Sequence, residues 1–157
     1  MSRAQTTVQA SSLAENRLVE QVSNAYSEER PLQIVGAGSK RFYGRQLAVE
    51  ELCTSSLTGI VHYDPSELVV TVLAGTPIVE LEAELAKHKQ YLPFEPPVLG
   101  GKGTVGGMVA TAMAGPRRPW SGAVRDFILG VKIINGRGEL LRFGGQVMKN
   151  VAGYDVS

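Results

Sequence analysis

Two hydrophobic periods alternate along this chain. Leu18, Val22 and Tyr26 recur at helical spacing behind the capping-box pattern Ser12-Leu13-Ala14-Glu15, which predicts an amphipathic helix over 12–28 closed by Arg30-Pro31. Residues 1–11 are expected to form a flexible N-terminal tail. Leu32-Gln33-Ile34-Val35 reads as a short buried strand, whereas residues 44–57 show no clear pattern. Gly59 to Tyr63 reads as a strand, Asp64-Pro65-Ser66-Glu67 as a turn, and the β-branched run Leu68 to Leu73 as the clearest strand of all. Thr76-Pro77 predicts a helix start with threonine as N-cap and proline at the first helical position. Ile78, Leu81 and Leu85 would form its inner stripe, and Glu80, Glu82, Glu84 and Lys87 its wet face. Pro93, Pro96 and Pro97 enforce a stiff extended segment. Val105 to Ala114 is small and apolar, suited to a tightly packed helix stopped by Gly115-Pro116-Arg117-Arg118-Pro119. Phe127 to Ile134 predicts a strand, Asn135-Gly136-Arg137-Gly138 a hairpin, and Glu139 to Phe143 its return.

Two glycine-rich stretches interrupt this pattern where elements meet. The first, Gly36-Ala37-Gly38-Ser39-Lys40, follows a strand; the second, Gly100-Gly101-Lys102-Gly103-Thr104-Val105-Gly106-Gly107, opens a helix. Backbone N–H groups beside glycine can approach a ligand closely, and several converging on one point form a nest for an anion. Thr104 could cap its helix and offer a hydroxyl to phosphate, and a helix N-terminus favours an anion. Gly106 and Gly107 each cost the helix ~1 kcal/mol relative to alanine, which calls for close packing or close approach of a ligand. Two loops of this kind suit a ligand with two phosphates. Each also has a plainer reading: a tight turn at Gly36 and Gly38, and close helix–sheet packing at Gly106 and Gly107.

Familiar nucleotide motifs fit poorly. The dinucleotide pattern G-x-G-x-x-G would need a third glycine where Arg41 stands, and no acidic strand-end residue follows about twenty positions on. A P-loop fails because Gly103, not serine or threonine, follows Lys102. Arg117, Arg118 and Arg125 form a basic group near Trp120, able to hold a phosphate or an acidic partner, or to stand as a solvated face. Asp126 is placed to pair with one of them. Cys53 is read as a small buried hydrophobe and His62 as structural.

Composition narrows the classes. At 157 residues, with 43% hydrophobic and 20% charged, the chain can bury a core as one domain, and a net charge of +1 argues against nucleic acid or an anionic membrane as partner. One cysteine and two histidines exclude a disulfide framework and leave too few soft ligands for a transition-metal centre. The polar N-terminus predicts no secretory signal, and no window approaches the ~20 apolar residues of a membrane span, so a cytoplasmic protein without a transmembrane segment is expected. No paired carboxylates and no nucleophile–base dyad are evident, a silence that fits an organic cofactor carrying the chemistry.

The order of these pieces resembles the FAD-binding, PCMH-type domain of the vanillyl-alcohol oxidase and p-cresol methylhydroxylase superfamily. The resemblance rests on Val35 to Ser39, Val70 to Thr76, Pro93 to Pro97, Gly103 to Thr111, Ser121 to Val131 and Lys149 to Asp155. Within it, Ala114 to Gly122 and Arg142 to Asp155 are most similar to the FAD-binding E subunits of bacterial glycolate oxidases. The resemblance implies an α+β fold of two small α/β subdomains, about 12–95 and 96–157, without the C-terminal cap domain into which relatives continue. It implies that Gly36, Ala37, Gly38, Ser39 and Lys40 cradle the pyrophosphate of FAD. Gly103, Thr104, Gly106, Gly107 and Ala110 would lie along the pyrophosphate and ribityl chain, Val131 by the adenine, with Pro97 and Gly122 also at the cofactor. Ser39 and Lys40 stand where covalent members carry histidine, and Cys53 matches no attachment site, so FAD is expected to be non-covalent. The implied activity is oxidation of a small 2-hydroxy acid such as glycolate, electrons passing through FAD to an iron–sulfur subunit beside a larger FAD subunit. Attachment to the inner membrane would then run only through partners. The alternatives are a flavin-free scaffold subunit of the same kind of complex and a Rossmann-type nicotinamide binder.

Overall fold

The computed structural model describes residues 3–45 and 47–145, with residues 3–11 as backbone only; the motif Lys149 to Asp155 lies outside the described residues. A long helix α1 (Arg3–Ser27) leads into strand β1 (Leu32–Val35). It begins well before Ser12, so the expected capping box lies inside it, and the helix takes in residues expected to form a tail. Strand β2 (Glu50–Cys53) pairs with β1 in parallel, Leu32 opposite Glu50 and Val35 opposite Cys53. This strand falls in the stretch where no pattern was legible. Its burial pattern explains why: only Leu52 faces the core. Leu52 joins Leu18 and Val22 of α1 in a small buried cluster flanked by Leu32, Leu57 and Ile134.

Strands β3 (Ile60–Asp64) and β4 (Val69–Val72) form an antiparallel pair with an irregularity between Ile60 and His62. The turn between them is held by Asp64, whose Oδ1 accepts from the Ser66 N–H at 3.0 Å and the Ser66 hydroxyl at 2.6 Å. Helix α2 (Ile78–Ala86) buries Ile78, Leu81 and Leu85, the expected stripe. Its start differs from expectation. Pro77 occupies the N-cap position without a side-chain bond, because the Thr76 hydroxyl is used elsewhere: it accepts from the Gly59 N–H at 2.9 Å and donates to the Gly59 carbonyl at 3.2 Å. Thr76 is fully buried, so satisfying both capacities of its hydroxyl outweighs a helix cap.

The proline-rich segment carries no regular structure and delivers Phe94 to the main core, where Phe94 packs with Ile78, Met108 and Val124. Met108 belongs to helix α3 (Val105–Thr111), which ends earlier than expected, at Ala112 in a left-handed conformation. A four-residue helix α4 (Arg118–Ser121) and a 3₁₀ turn, Val124–Phe127, follow. The expected strand from Phe127 therefore starts later. Strand β5 (Gly130–Ile134) pairs antiparallel with β6 (Leu140–Gly144) as a hairpin, with Val131 opposite Phe143. Lys132 of β5 pairs with Glu15 of α1 at 2.5 Å, tying the hairpin to the first helix. The architecture is thus α+β: among the described residues there are three two-stranded sheets, and α1 touches a strand of each. Among the described residues no helix is long and apolar enough to cross a membrane.

Ile78 sits at the centre of the main core with none of its surface exposed. Ile78→Ala should cost about 3 kcal/mol, while Val79→Ala on the outer face of the same helix should stay within about 0.5 kcal/mol. Urea unfolding of the two variants checks this, and equal losses would contradict the assigned core.

Candidate functional site

The first glycine loop leaves β1 and runs directly against the second. A Cβ added at Gly36 would lie 2.5 Å from the Oγ1 of Thr104, a separation real side chains do not tolerate. Thr104 is buried and its Oγ1 accepts the Gly107 N–H at 3.2 Å, capping α3 as the sequence suggested. The root of the first loop is held by Thr54, whose N–H donates to the Val35 carbonyl at 2.9 Å.

The second loop is stitched to the end of β4 and the start of α2. The Ile78 N–H donates to the Gly103 carbonyl at 3.0 Å, the Val105 N–H to Thr76 at 2.9 Å and the Gly106 N–H to Ala74 at 2.7 Å. A Cβ at Gly106 would come within 2.9 Å of the Ala74 Cβ and 3.0 Å of its carbonyl oxygen. Gly106 is therefore a packing glycine. Gly107 differs: among the described residues a Cβ there would meet only the Thr104 hydroxyl, at 3.2 Å, close enough that the hydroxyl would have to give way.

These bonds also decide where an anion can be held. The first-turn amides of α3 are already engaged by Thr76, Ala74 and Thr104. Among the described residues, by contrast, the N–H groups of Ala37, Gly38, Ser39 and Lys40 donate to no protein acceptor, nor do those of Gly103 and Thr104. Gly38 adopts φ +69°, a left-handed turn that glycine takes without strain, and the loop closes through the Arg41 N–H to Gly38 and the Tyr43 N–H to Lys40. Successive unpaired amides beside a left-handed turn are what an anion nest is built from. Unpaired backbone donors thus remain in the first loop and at the entry to the second, rather than in the first turn of α3.

Gly36, Thr104 and Gly107 are joined by direct contact, and Gly103 and Gly106 flank them. Ala110 lies exposed further along α3. Pro97 lies in the segment beside Val98, which packs on the main core. Gly122 precedes the turn held by Asp126, whose Oδ2 accepts the Ala123 N–H at 2.7 Å. Val131 is on the hairpin. Thr54, Ala74 and Thr76, which fasten the two loops, are not among the expected cofactor contacts. Ala74 and Thr76 do fall in the Val70 to Thr76 segment of the family resemblance, whereas no sequence signal marks Thr54.

Cys53 is exposed, not the buried hydrophobe expected. It ends β2 beside Val35, and a hydrogen bond with the Ser55 hydroxyl at 3.0 Å is the main cause holding its thiol below the ordinary range. Arg117 approaches Glu95 at 3.8 Å. Among the described residues no cluster of three or more histidine, cysteine or acidic side chains could hold a metal ion.

The profile of the FAD binding domain family matches residues 5–144. The chain belongs to that family. It is 57% identical over 140 residues to the glycolate oxidase subunit GlcE of Escherichia coli, an alignment covering 89% of this chain and 40% of that protein. It is 28% identical over 98 residues to the glycolate oxidase subunit GlcD of Bacillus subtilis, covering 62% of this chain and 21% of that one. It is 27% identical over 155 residues to a D-lactate dehydrogenase of Archaeoglobus fulgidus, covering 91% of this chain and 34% of that one. The chain thus spans at most about two fifths of the length of these relatives. FAD is the cofactor of the family, and the likeness is to FAD-linked oxidoreductases of hydroxy acids and to glycolate oxidase subunits.

The Gly36–Thr104 contact makes a double-mutant cycle informative. Gly36→Ala should cost roughly 1–3 kcal/mol by overpacking, and Thr104→Ala about 1 kcal/mol as a lost cap. Because the clashing atom is the Thr104 hydroxyl, Gly36→Ala should cost at least about 1 kcal/mol less in the Thr104→Ala background. Additive losses in thermal or urea unfolding would mean that the two loops do not touch.

Proposed function

We propose that this chain is the FAD-binding portion of a multi-subunit oxidase of 2-hydroxy acids, glycolate foremost. The observation that carries the reading is the row of unpaired amides from Ala37 to Lys40 beside the Gly36–Thr104 contact. A diphosphate bridge offers oxygens to several such donors at once, and an anion held by backbone amides needs no paired cation. Ala37, Gly38, Ser39 and Lys40 grip one side of that bridge. Gly103 and Thr104 present further amides, and the bare face of Gly107 admits the body of the cofactor. Gly106 serves by packing on Ala74, which keeps α3 close enough to form that wall. Pro97, Ala110, Gly122 and Val131 complete the binding surface in this reading, with Val131 toward the adenine end.

FAD supplies the two-electron oxidation of the hydroxy acid when bound. The part of this chain is to hold and orient it. In this reading attachment is non-covalent, because Ser39 and Lys40 stand where covalent members carry histidine and Cys53 matches no attachment site. The same reading extends to electron transfer into an iron–sulfur subunit and to a larger FAD subunit as neighbour. The names of two relatives as glycolate oxidase subunits support the multi-subunit part of the reading, and the D-lactate dehydrogenase relative supports the 2-hydroxy acid class.

The purified protein should carry flavin absorbance, and acid precipitation should release the flavin into the supernatant. Gly107→Leu should lower flavin content at least tenfold while leaving the unfolding free energy of the flavin-free protein within about 1 kcal/mol, since the helix gains propensity as Thr104 gives way. Stoichiometric flavin in that variant would contradict the assigned wall. A colourless wild-type protein that still assembles with the other subunits would establish the scaffold reading instead.

A further inference from the structure

The flavin reading leaves one motif unused: the Arg117-Arg118-Pro119-Trp120-Ser121 segment. Trp120 is 85% exposed and Tyr91 65%. With Pro93, Arg117 and Ser121 they line an open groove of about 390 Å³. The platform is not a loose loop. The Gly115 N–H donates to the carbonyl of buried Phe94 at 2.8 Å, the Arg117 N–H to Glu95 Oε2 at 3.2 Å, and the Trp120 N–H to the Arg117 carbonyl at 2.9 Å. The Ser121 hydroxyl also donates to the Arg117 carbonyl, at 3.0 Å. A Cβ at Gly115 would meet the Glu95 Cβ at 2.7 Å and its carbonyl oxygen at 2.8 Å, so the segment is pressed against the proline-rich stretch. Trp120 is therefore presented on a fixed backbone, which lowers the entropy lost on docking.

Charge identifies the kind of partner. Arg117 and Arg118 are both exposed, and the carboxylate facing Arg117 is Glu95, at a loose 3.8 Å. Among the described residues Arg118 pairs with no carboxylate. Tryptophan, tyrosine and arginine are the side chains that dominate protein–protein hot spots, and an aromatic pair beside two guanidiniums complements a carboxylate flanked by apolar groups. An open groove floored by a tryptophan this exposed encloses a small molecule poorly. We propose that the Tyr91–Trp120 groove docks a second protein chain through an acidic segment with apolar neighbours, and that this chain is another subunit of the oxidase. The inference rests on the multi-subunit reading above, but not on flavin being bound.

Trp120 is the single tryptophan of this sequence, which makes it a site-specific reporter. The protein is labelled with 5-fluorotryptophan, its ¹⁹F resonance is assigned by its loss in Trp120→Phe, and the unlabelled GlcD-type subunit of the same organism is titrated in. The resonance should shift and lose its solvent isotope effect as the complex forms. Trp120→Ala should weaken the complex at least tenfold, and Arg118→Glu should weaken it and flatten its salt dependence, both with flavin content unchanged. A complex that forms with the Trp120 resonance unmoved, affinity unchanged in Trp120→Ala, or no complex at all would overturn the proposal. So would a shift produced by glycolate or by anionic vesicles but not by the subunit. Loss of flavin with docking intact would count against the cofactor reading alone.

Discussion

The backbone of the first glycine loop can lie against Thr104 only because residue 36 carries no side chain. That approach links two segments far apart in sequence, and the rest of the site follows from it. Thr104 is held from the other side by the Gly107 N–H, which its hydroxyl caps. The Gly103 and Val105 backbones on either side of it are bonded to Ile78 and Thr76. The result is a stack in which β1, the end of β4, the start of α2 and the start of α3 meet at backbone distance. Two buried threonines, at 76 and 104, supply the polar fastening. Side chains larger than hydrogen at positions 36 or 106 would pry that stack open.

Satisfaction of backbone donors then divides the site. The amides at the start of α3 are spent inside the protein, so the helix terminus has little left to give an anion. Those from Ala37 to Lys40, and those of Gly103 and Thr104, are not spent. Gly103 and Thr104 are buried, and an unpaired buried N–H costs on the order of 1–3 kcal/mol, a penalty that a ligand oxygen removes. Unpaired donors thus remain where the two loops join. In the proposed reading they would hold an anionic ligand without any formal positive charge, consistent with a chain whose net charge is only +1.

Much of this was legible in the sequence because local rules governed it. The α2 stripe, the β3 and β4 strands, the hairpin and the Thr104 cap each follow from spacing or turn chemistry within a few residues. The failures share a cause. β2 buries a single side chain, Leu52, so no alternation marks it. Thr76 has the right residue type for a cap, but a tertiary partner at Gly59 takes its hydroxyl. Cys53 looked like a core residue because sequence does not say which side of a two-stranded sheet stays uncovered. Glycine content pointed to both loops, yet Gly106 and Gly107 could not be told apart. One meets the Ala74 backbone and the other, among the described residues, only the Thr104 hydroxyl, a distinction set by the fold rather than by either residue.

The most direct test follows amide hydrogen exchange residue by residue in the free protein and with FAD, ADP or riboflavin added. FAD and ADP, which carry a diphosphate, should slow exchange at Ala37, Gly38, Ser39, Lys40, Gly103 and Thr104, and riboflavin should not. Val105, Gly106 and Gly107 should be slow already in the free protein and change little. FAD bound in stoichiometric amount with exchange from Ala37 to Lys40 unaltered would contradict the account.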